Sequence, residues 1–444
     1  MKKSLLTIAL CATALASATA QTKIEGSYVK FDPIEMYGME VPVMGSFHKV
    51  SPNGQWAVGS DDSGMIGWSF IYSVADDKLT TLEDPSVTEL YYIVADVAND
   101  GTMVGAYTND AGELVPGIRK SADSEWEPLP VPEDHMPAHS SSSGFSSARA
   151  INGDGTIIAG HLRMDDYMLH PVLWVNGELQ ELPDAAVTGQ GFYVWDMSED
   201  GTVIVGMNNA EGGGQNPAFI KDGTLTNIVD CDADETYTFN GGIANSIDVK
   251  GNIYGYWQDD MGTMQALVYN ETDGLVWIED AGMPIACCSD GTHIFGMASA
   301  MYGPACVLVN DEVKAMSDVY NIEGVDAMTT VTDCTADGSV VVGAESAAIE
   351  GLGAVNTPTL FTADTETAGI GADDVTSDVS LTLSGSNLYV TGLYDRVEVF
   401  ALTGVKLAAS SVQGAPVSLA GMPAGTYVVK VTTGQSVKTF KVSR

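Results

Sequence analysis

The sequence predicts an all-β protein, a seven-bladed β-propeller followed by a small C-terminal antiparallel β-sandwich. Three observations predict it. A word of eight or nine residues recurs seven times, at Ser51–Gly59, Ala98–Gly105, Asn152–Gly160, Ser198–Gly206, Asp248–Gly255, Cys288–Gly296 and Thr335–Gly343, as polar residues, a turn glycine, an apolar run and a second glycine. The closing glycines are 46, 55, 46, 49, 41 and 47 residues apart, a period that fits four short strands per repeat and the blade of a propeller. After about residue 376 the period changes to short alternating segments separated by Gly, Ser and Asp turns.

In chain order, residues 1–20 read as a cleaved secretory leader: Met1-Lys2-Lys3, an apolar run from Leu5 to Leu15, then Ala18-Thr19-Ala20 before Gln21. That run is too short to remain as a membrane span, and no later segment is apolar for long enough to cross a bilayer, so the expectation is a chain that does not span a membrane. The propeller is assigned to 21–365, a linker to 366–376 and the sandwich to 377–444. Formal charge is −40, and −42 once Lys2 and Lys3 leave with the leader. Such a field repels phosphate backbones and anionic lipid, so nucleic acid is excluded as a partner. Losing Cys11 with the leader leaves five cysteines, an odd number that argues against a disulfide framework. Cys287 and Cys334 stand four residues before the turn glycine, where other repeats have Val50, Val97, Ile151, Met197 and Ile247, so they read as small apolar core residues.

Within a repeat, Asn/Asp-Gly pairs such as Asp100-Gly101 and Asp154-Gly155 predict tight hairpin turns, because glycine adopts positive φ freely. The runs that follow, such as Thr156-Ile157-Ile158-Ala159 and Ser339-Val340-Val341-Val342, are continuously apolar, as a strand covered on both faces by neighbouring blades requires. A third strand often follows Pro or Gln (Pro171–Trp174, Pro217–Ile220, Gln265–Tyr269), and the fourth is weak, as in Glu178–Leu182. This pattern resembles the extracellular HAF-type repeat family, with Ser51-Pro52-Asn53-Gly54 closer to the TolB-like propeller repeat. The resemblance implies the fold and brings no catalytic residues. The seventh repeat shows a third strand at Pro358–Phe361 but no fourth, while Gly26–Phe31 is an unassigned strand ahead of the first repeat. The expectation is that this piece completes the last blade and hides the open edges.

The C-terminal strands are read at Ser380–Leu383, Val397–Phe400, Pro416–Leu419, Tyr427–Val431 and Thr439–Val442. Val397–Gly404, Met422–Val431 and the basic end Lys438–Arg444 resemble the type A C-terminal sorting domain of the type IX secretion system, with Val405 where that family often has Arg. The resemblance implies export by the type IX secretion machinery to the outer-membrane surface of a Gram-negative bacterium or into the medium.

The face carrying the fourth-to-first and second-to-third connections is the uneven one, whereas the opposite face is a run of Asn/Asp-Gly turns. Ligand contacts are therefore assigned to Tyr92, Arg149, Tyr193, Trp195, Tyr237, Trp257, Asp166 and Asp260. Aromatic rings stack on the apolar face of a pyranose and carboxylates accept its hydroxyl protons, so a glycan is preferred as ligand and a protein or peptide comes next. Six residues before each turn glycine stand His48, Ala95, Arg149, Trp195, Asn245, Ile285 and Thr332, a varied position read as the funnel rim. Asp230, Asp232 and Asp234 alternate like a calcium loop, but Gly241 falls where an EF-hand needs its bidentate Glu. His135 and His139 flank Pro137, which disfavours a helical metal pair. The expectation is a secreted or surface-held non-catalytic binding module with no cofactor, calcium being the one metal left open. The alternative is a secreted propeller hydrolase or lyase acting on polysaccharide, which a cluster of two or three carboxylates with a basic neighbour in one mouth would favour.

Overall fold

In the hairpin at Ser198–Gly206 the repeated word becomes a turn with few alternatives. The Ser198 N–H donates to the Val203 carbonyl (2.9 Å) and the Gly201 N–H to the Ser198 carbonyl (2.8 Å). Asp200 Oδ1 accepts from the Ser198 hydroxyl (2.7 Å) and the Thr202 N–H (3.1 Å), and Ser198 Oγ accepts from the Val203 N–H (3.0 Å). Only the glycine takes positive φ, +70° at Gly201. The Asp at these turns thus acts through its carboxylate, as an Asx turn, rather than by adopting a left-handed backbone. Two-residue turns with both residues at positive φ do occur, at Asn176-Gly177 and Asp222-Gly223, and they join third to outer strands.

The computed structural model describes residues 23–36, 39–61, 68–82, 92–138, 144–182, 187, 189–209, 214–231, 241–258, 264–278, 284–287, 293–297, 304–309, 312–349 and 353–363, then 380–384, 387–391, 396–401, 406–410, 417–419, 422, 426–433 and 436–443. The chain divides into two compact units, Met1–Ala368 and Gly369–Arg444.

Among the described residues the larger unit holds antiparallel groups of strands in chain order, at 46–81, 92–128, 147–181, 191–227, 241–278, 284–315 and 328–363. They are numbered here as blades 1 to 7. Single parallel bridges, Leu169↔Gly191 and Gln215↔Gly241, join the three groups of 147–278 into one sheet, and Tyr320–Asn321 pairs parallel with Ile24–Val29 beside the last group. The seventh is completed from the other end of the chain, as expected. Ile24–Val29 pairs antiparallel with Gly353–Ala363, in register Gly26↔Ala363 through Val29↔Leu360. Thr359 Oγ1 donates to the Val29 carbonyl at 2.8 Å, and Lys30 pairs with Glu345 at 2.8 Å.

Second strands are covered on both sides, as their apolarity requires. In blade 7, Val340 and Val342 meet Phe47, Trp68, Phe70 and Tyr72 of blade 1 in a shared core, and Val341 points the other way yet is also fully buried. Blades 4 and 5 share a similar core through Val205, Phe219, Ala244, Ile253, Trp257 and Leu267. Burying each large side chain contributes about 1.5–3 kcal/mol, so most of the cohesion lies between sheets rather than within one. Cys306 and Cys334 are both buried, and burial pushes the Cys306 thiol up to about 11. No helix among the described residues is long and apolar enough to cross a membrane.

In the smaller unit a three-stranded sheet (Ser380–Ser384, Asn387–Thr391, Val417–Ser418) accompanies a four-stranded one (Arg396–Ala401, Lys406–Ser410, Thr426–Thr433, Ser436–Ser443). Leu388, Val390, Val397, Val399, Val417, Leu419, Tyr427, Val429 and Val431 form one core, as in a sandwich.

Candidate functional site in the propeller channel

Every inner strand is interrupted at the same place. Its ladder slips by one residue at His48, Ala95, Arg149, Trp195, Asn245, Ile285 and Thr332, so the variable position of the sequence is a ring of seven β-bulges. The bulge also explains the closing glycine of the repeated word. A Cβ on Gly206 would lie 1.9 Å from the Tyr193 carbonyl oxygen, and one on Gly105 would lie 1.8 Å from that of Ile93.

The next residue along supplies the second layer of the channel. Asp96, Asp196 and Asp333 each accept a backbone N–H from the following blade: Ile151 (2.9 Å), Ile247 (3.2 Å) and Val50 (2.9 Å). Asp96 and Asp196 also accept the N–H of their own neighbours, Val97 and Met197. These aspartates tie blade to blade. Lys49 occupies the same position in blade 1, and its Nζ lies 3.3 Å from Asp196 and 3.8 Å from Asp333. Blades 1 and 4 are not neighbours, so Lys49 and Asp196 meet across the channel. Burial alone would lower the Lys49 pKa, but Asp196, Asp333 and Asp96 together raise it. Burial lifts Asp96 to about 7 and Asp333 to about 6, with Lys49 pulling the other way. A cavity of about 570 Å³ opens beside these groups at the turn end, lined among others by Asp200, Ser246 and Asp248. The sequence-based expectation treated that face as uniform; the cavity shows that it is not.

The other group belongs to blades 3 and 4. The Arg149 guanidinium carbon lies 5.0 Å from the centre of the Trp195 ring, and the Tyr193 and His161 rings are 5.2 Å apart, edge to face. His161 is buried and accepts the Val194 N–H at Nδ1 (3.2 Å). Burial, then the Arg149 charge, hold its pKa down to about 3, so the ring is neutral. Arg163 lies 5.4 Å from the centre of the exposed Tyr167 ring. The Trp195 Nε1–H and Arg163 Nε are buried with no hydrogen-bond partner among the described residues, and so is the Asn245 amide oxygen in the next blade.

Of the residues assigned from sequence, the structure thus brings Arg149, Tyr193 and Trp195 together. Asp166 sits in the neighbouring turn, where it accepts the Met168 N–H and pairs with His170 at 2.9 Å. Trp257 is elsewhere: only 3% exposed, it packs against Trp277 in the core between blades 4 and 5. Tyr92 begins the inner strand of blade 2, opposite Tyr107. The Tyr92 side chain, Tyr237 and Asp260 lie outside the described residues, as do Asp232 and Asp234. Asp230 is exposed and accepts the Asn227 amide at 3.1 Å. Sequence reasoning missed Lys49, Asp96, Asp196 and Asp333. The available signal was the position five before each turn glycine, where Lys49, Asp96, Ala150, Asp196, Ser246, Ala286 and Asp333 alternate between charged and small.

No family model matches the chain, and no curated protein matches it. Among solved structures it is similar to TolB from Acinetobacter baumannii (TM-score 0.38, 8% identity, covering 63% of each chain). It is also similar to an oligogalacturonate lyase from Vibrio parahaemolyticus (TM-score 0.43, 10% identity, 77% of this chain and 98% of that one). A third is the β-propeller domain of the Trilobed protease from Pyrococcus furiosus (TM-score 0.39, 12% identity, 63% and 85%). None of these likenesses bears on activity.

Proposed function

We propose that the protein is an extracellular binding module that holds a glycan at the channel mouth over blades 3 and 4 and carries out no chemistry on it. The leader-like N-terminus and the sorting-domain-like C-terminal strands support a route to the surface of a Gram-negative cell through the type IX machinery. The observation that carries the binding reading is Trp195. Its ring lies 5.0 Å from the Arg149 guanidinium carbon at a bulge, two residues along the same strand from Tyr193, with an indole N–H that has no acceptor among the described residues. A buried donor without an acceptor is destabilising, and a ligand hydroxyl supplies one while the ring stacks on the sugar face. A protein or peptide ligand is the next choice, and no cofactor is required.

The test is a glycan array probed with the full chain, with and without calcium. Specific binding that is lost in Trp195→Ala and Tyr193→Ala is the expected result. Silence in both conditions removes the glycan reading and leaves a peptide partner.

The second reading is a hydrolase or lyase acting on polysaccharide. It draws on Asp96, a carboxyl that at about 7 is suited to general acid work, beside Asp333, Asp196 and Lys49. Against it stands the engagement of all three carboxylates by backbone N–H groups. New reducing ends or unsaturated products that vanish in Asp96→Asn would make it the better account.

A further inference from the structure

Arginine occurs three times before residue 369, at Arg119, Arg149 and Arg163, and the three are treated very differently. Arg119 is tied on all sides, donating to the carbonyls of Leu82 (2.9 Å), Ala122 (2.7 Å) and Ser121 (3.2 Å). Neither the Arg149 nor the Arg163 guanidinium makes a hydrogen bond or ion pair with any described residue. Each is instead laid over an aromatic ring, Trp195 and Tyr167 respectively. The chain has 59 acidic residues, so a shortage of carboxylates does not explain this. Asp96 attracts Arg149 without pairing with it, and Asp166 is taken up by His170. Guanidinium groups that are stacked, partly desolvated and left with open donor forks match planar oxyanions, which they bind through two parallel N–H···O bonds. Tyr193 links the two: its ring meets His161 beside Arg149, and its phenol feels the Arg163 charge.

Resting on the glycan reading above, we propose that the ligand is an anionic sugar, whose carboxylate or sulfate is received by Arg149 and Arg163 while its ring stacks on Trp195 or Tyr193. Arg149, at its bulge, provides the inner anchor, with the Trp195 N–H as a further donor. Arg163, beside the exposed Tyr167, provides the outer one. An acidic protein that presents two unpaired arginines at one mouth repels anionic polymers elsewhere on its surface, which concentrates binding at that mouth.

The experiment is calorimetric titration of the full chain with a short oligouronate, with the same oligosaccharide after its carboxyls are reduced to alcohols, and with a sulfated form of the reduced one. The oligouronate should bind, and the reduced form should bind at least about tenfold more weakly, as expected for loss of a charged hydrogen bond. Arg149→Gln and Arg163→Gln should each weaken the oligouronate by about ten- to a hundredfold and weaken the reduced form much less. Thermal melts identify a variant that fails to fold, and Arg163→Gln, nearer the surface, keeps the test decisive if Arg149→Gln does. Binding of the sulfated form at comparable strength supports the proposal with sulfate as the anion. Equal affinity for charged and reduced sugars overturns the proposal but leaves the glycan reading standing. Tight uronate binding unchanged in both variants also overturns it, because the anion would then be held elsewhere. No binding to any of the three removes the glycan reading and the proposal with it.

Discussion

Lys49 is the residue on which the channel depends electrostatically. It is the cation among one buried and two half-buried carboxylates, and Lys49→Met leaves Asp96, Asp196 and Asp333 facing one another without it. Removing one partner of a buried pair costs about 3–5 kcal/mol, so this variant should melt several degrees lower at pH 8. Acidification should narrow the gap, because Asp96 and Asp333 then become neutral. The pH dependence has a definite sign. Asp96 is raised from its ordinary 3.8 to about 7 and Asp333 to about 6, so the folded state binds these protons more tightly than the unfolded one. Their contribution to stability is therefore complete below about pH 4 and is lost as the pH rises towards 7. Melts between pH 4.5 and 8 should show this trend, and Asp96→Asn should flatten it by about 2–5 °C. If the slope is unchanged in Asp96→Asn, the channel carboxyl is not its source. The four channel charges were within reach of sequence reading, since they stand in one column of the repeat. The column beside it, read as the rim, holds the bulge residues, and one step along a strand reverses the side of the sheet.

The element is the bulged hairpin, and both its glycines have separate reasons to be there. Gly206→Ala drives a methyl group into the Tyr193 carbonyl oxygen in the middle of blade 4, a backbone atom that cannot swing aside, with the buried Phe192 ring 3.0 Å away. It should lose more than about 4 kcal/mol in urea unfolding, or fail to fold. Gly112→Ala is the control: it meets nothing within 4 Å, and its φ of +76° leaves only the conformational penalty, about 1 kcal/mol. Comparable losses at the two sites would mean that close approach does not explain the closing glycine. The strand order within each repeat was legible because turn chemistry and apolar runs are local. The bulges were not, since an inserted residue leaves the sequence pattern of a strand almost unchanged. Trp257 shows the limit of composition: an aromatic near a loop reads as a ligand platform, but its indole fills the space between blades 4 and 5.

At the scale of the whole molecule, the ring is closed by an N-terminal strand added to the last blade. A chain lacking residues 1–31 loses the ladder from Gly26↔Ala363 to Val29↔Leu360 and exposes the edge of Gly353–Ala363. Size-exclusion chromatography with light scattering should show it as aggregated or self-associated, whereas a monodisperse, equally stable monomer would mean the closure is dispensable. This closure was legible because a repeat without a fourth strand and a strand without a repeat can be counted in the chain. By itself the sequence determined the all-β class, the sevenfold word, the order of strands and the need to join the ends, because turns, alternation and missing strands are properties of neighbouring residues. Only the tertiary structure decided that Lys49 reaches Asp196, 147 residues away, and that Arg149 stacks on Trp195 while finding no acceptor. The reason is geometric. Closing a ring brings the inner strands of distant blades to one axis, where side chains of non-adjacent repeats meet without any local pattern to announce it.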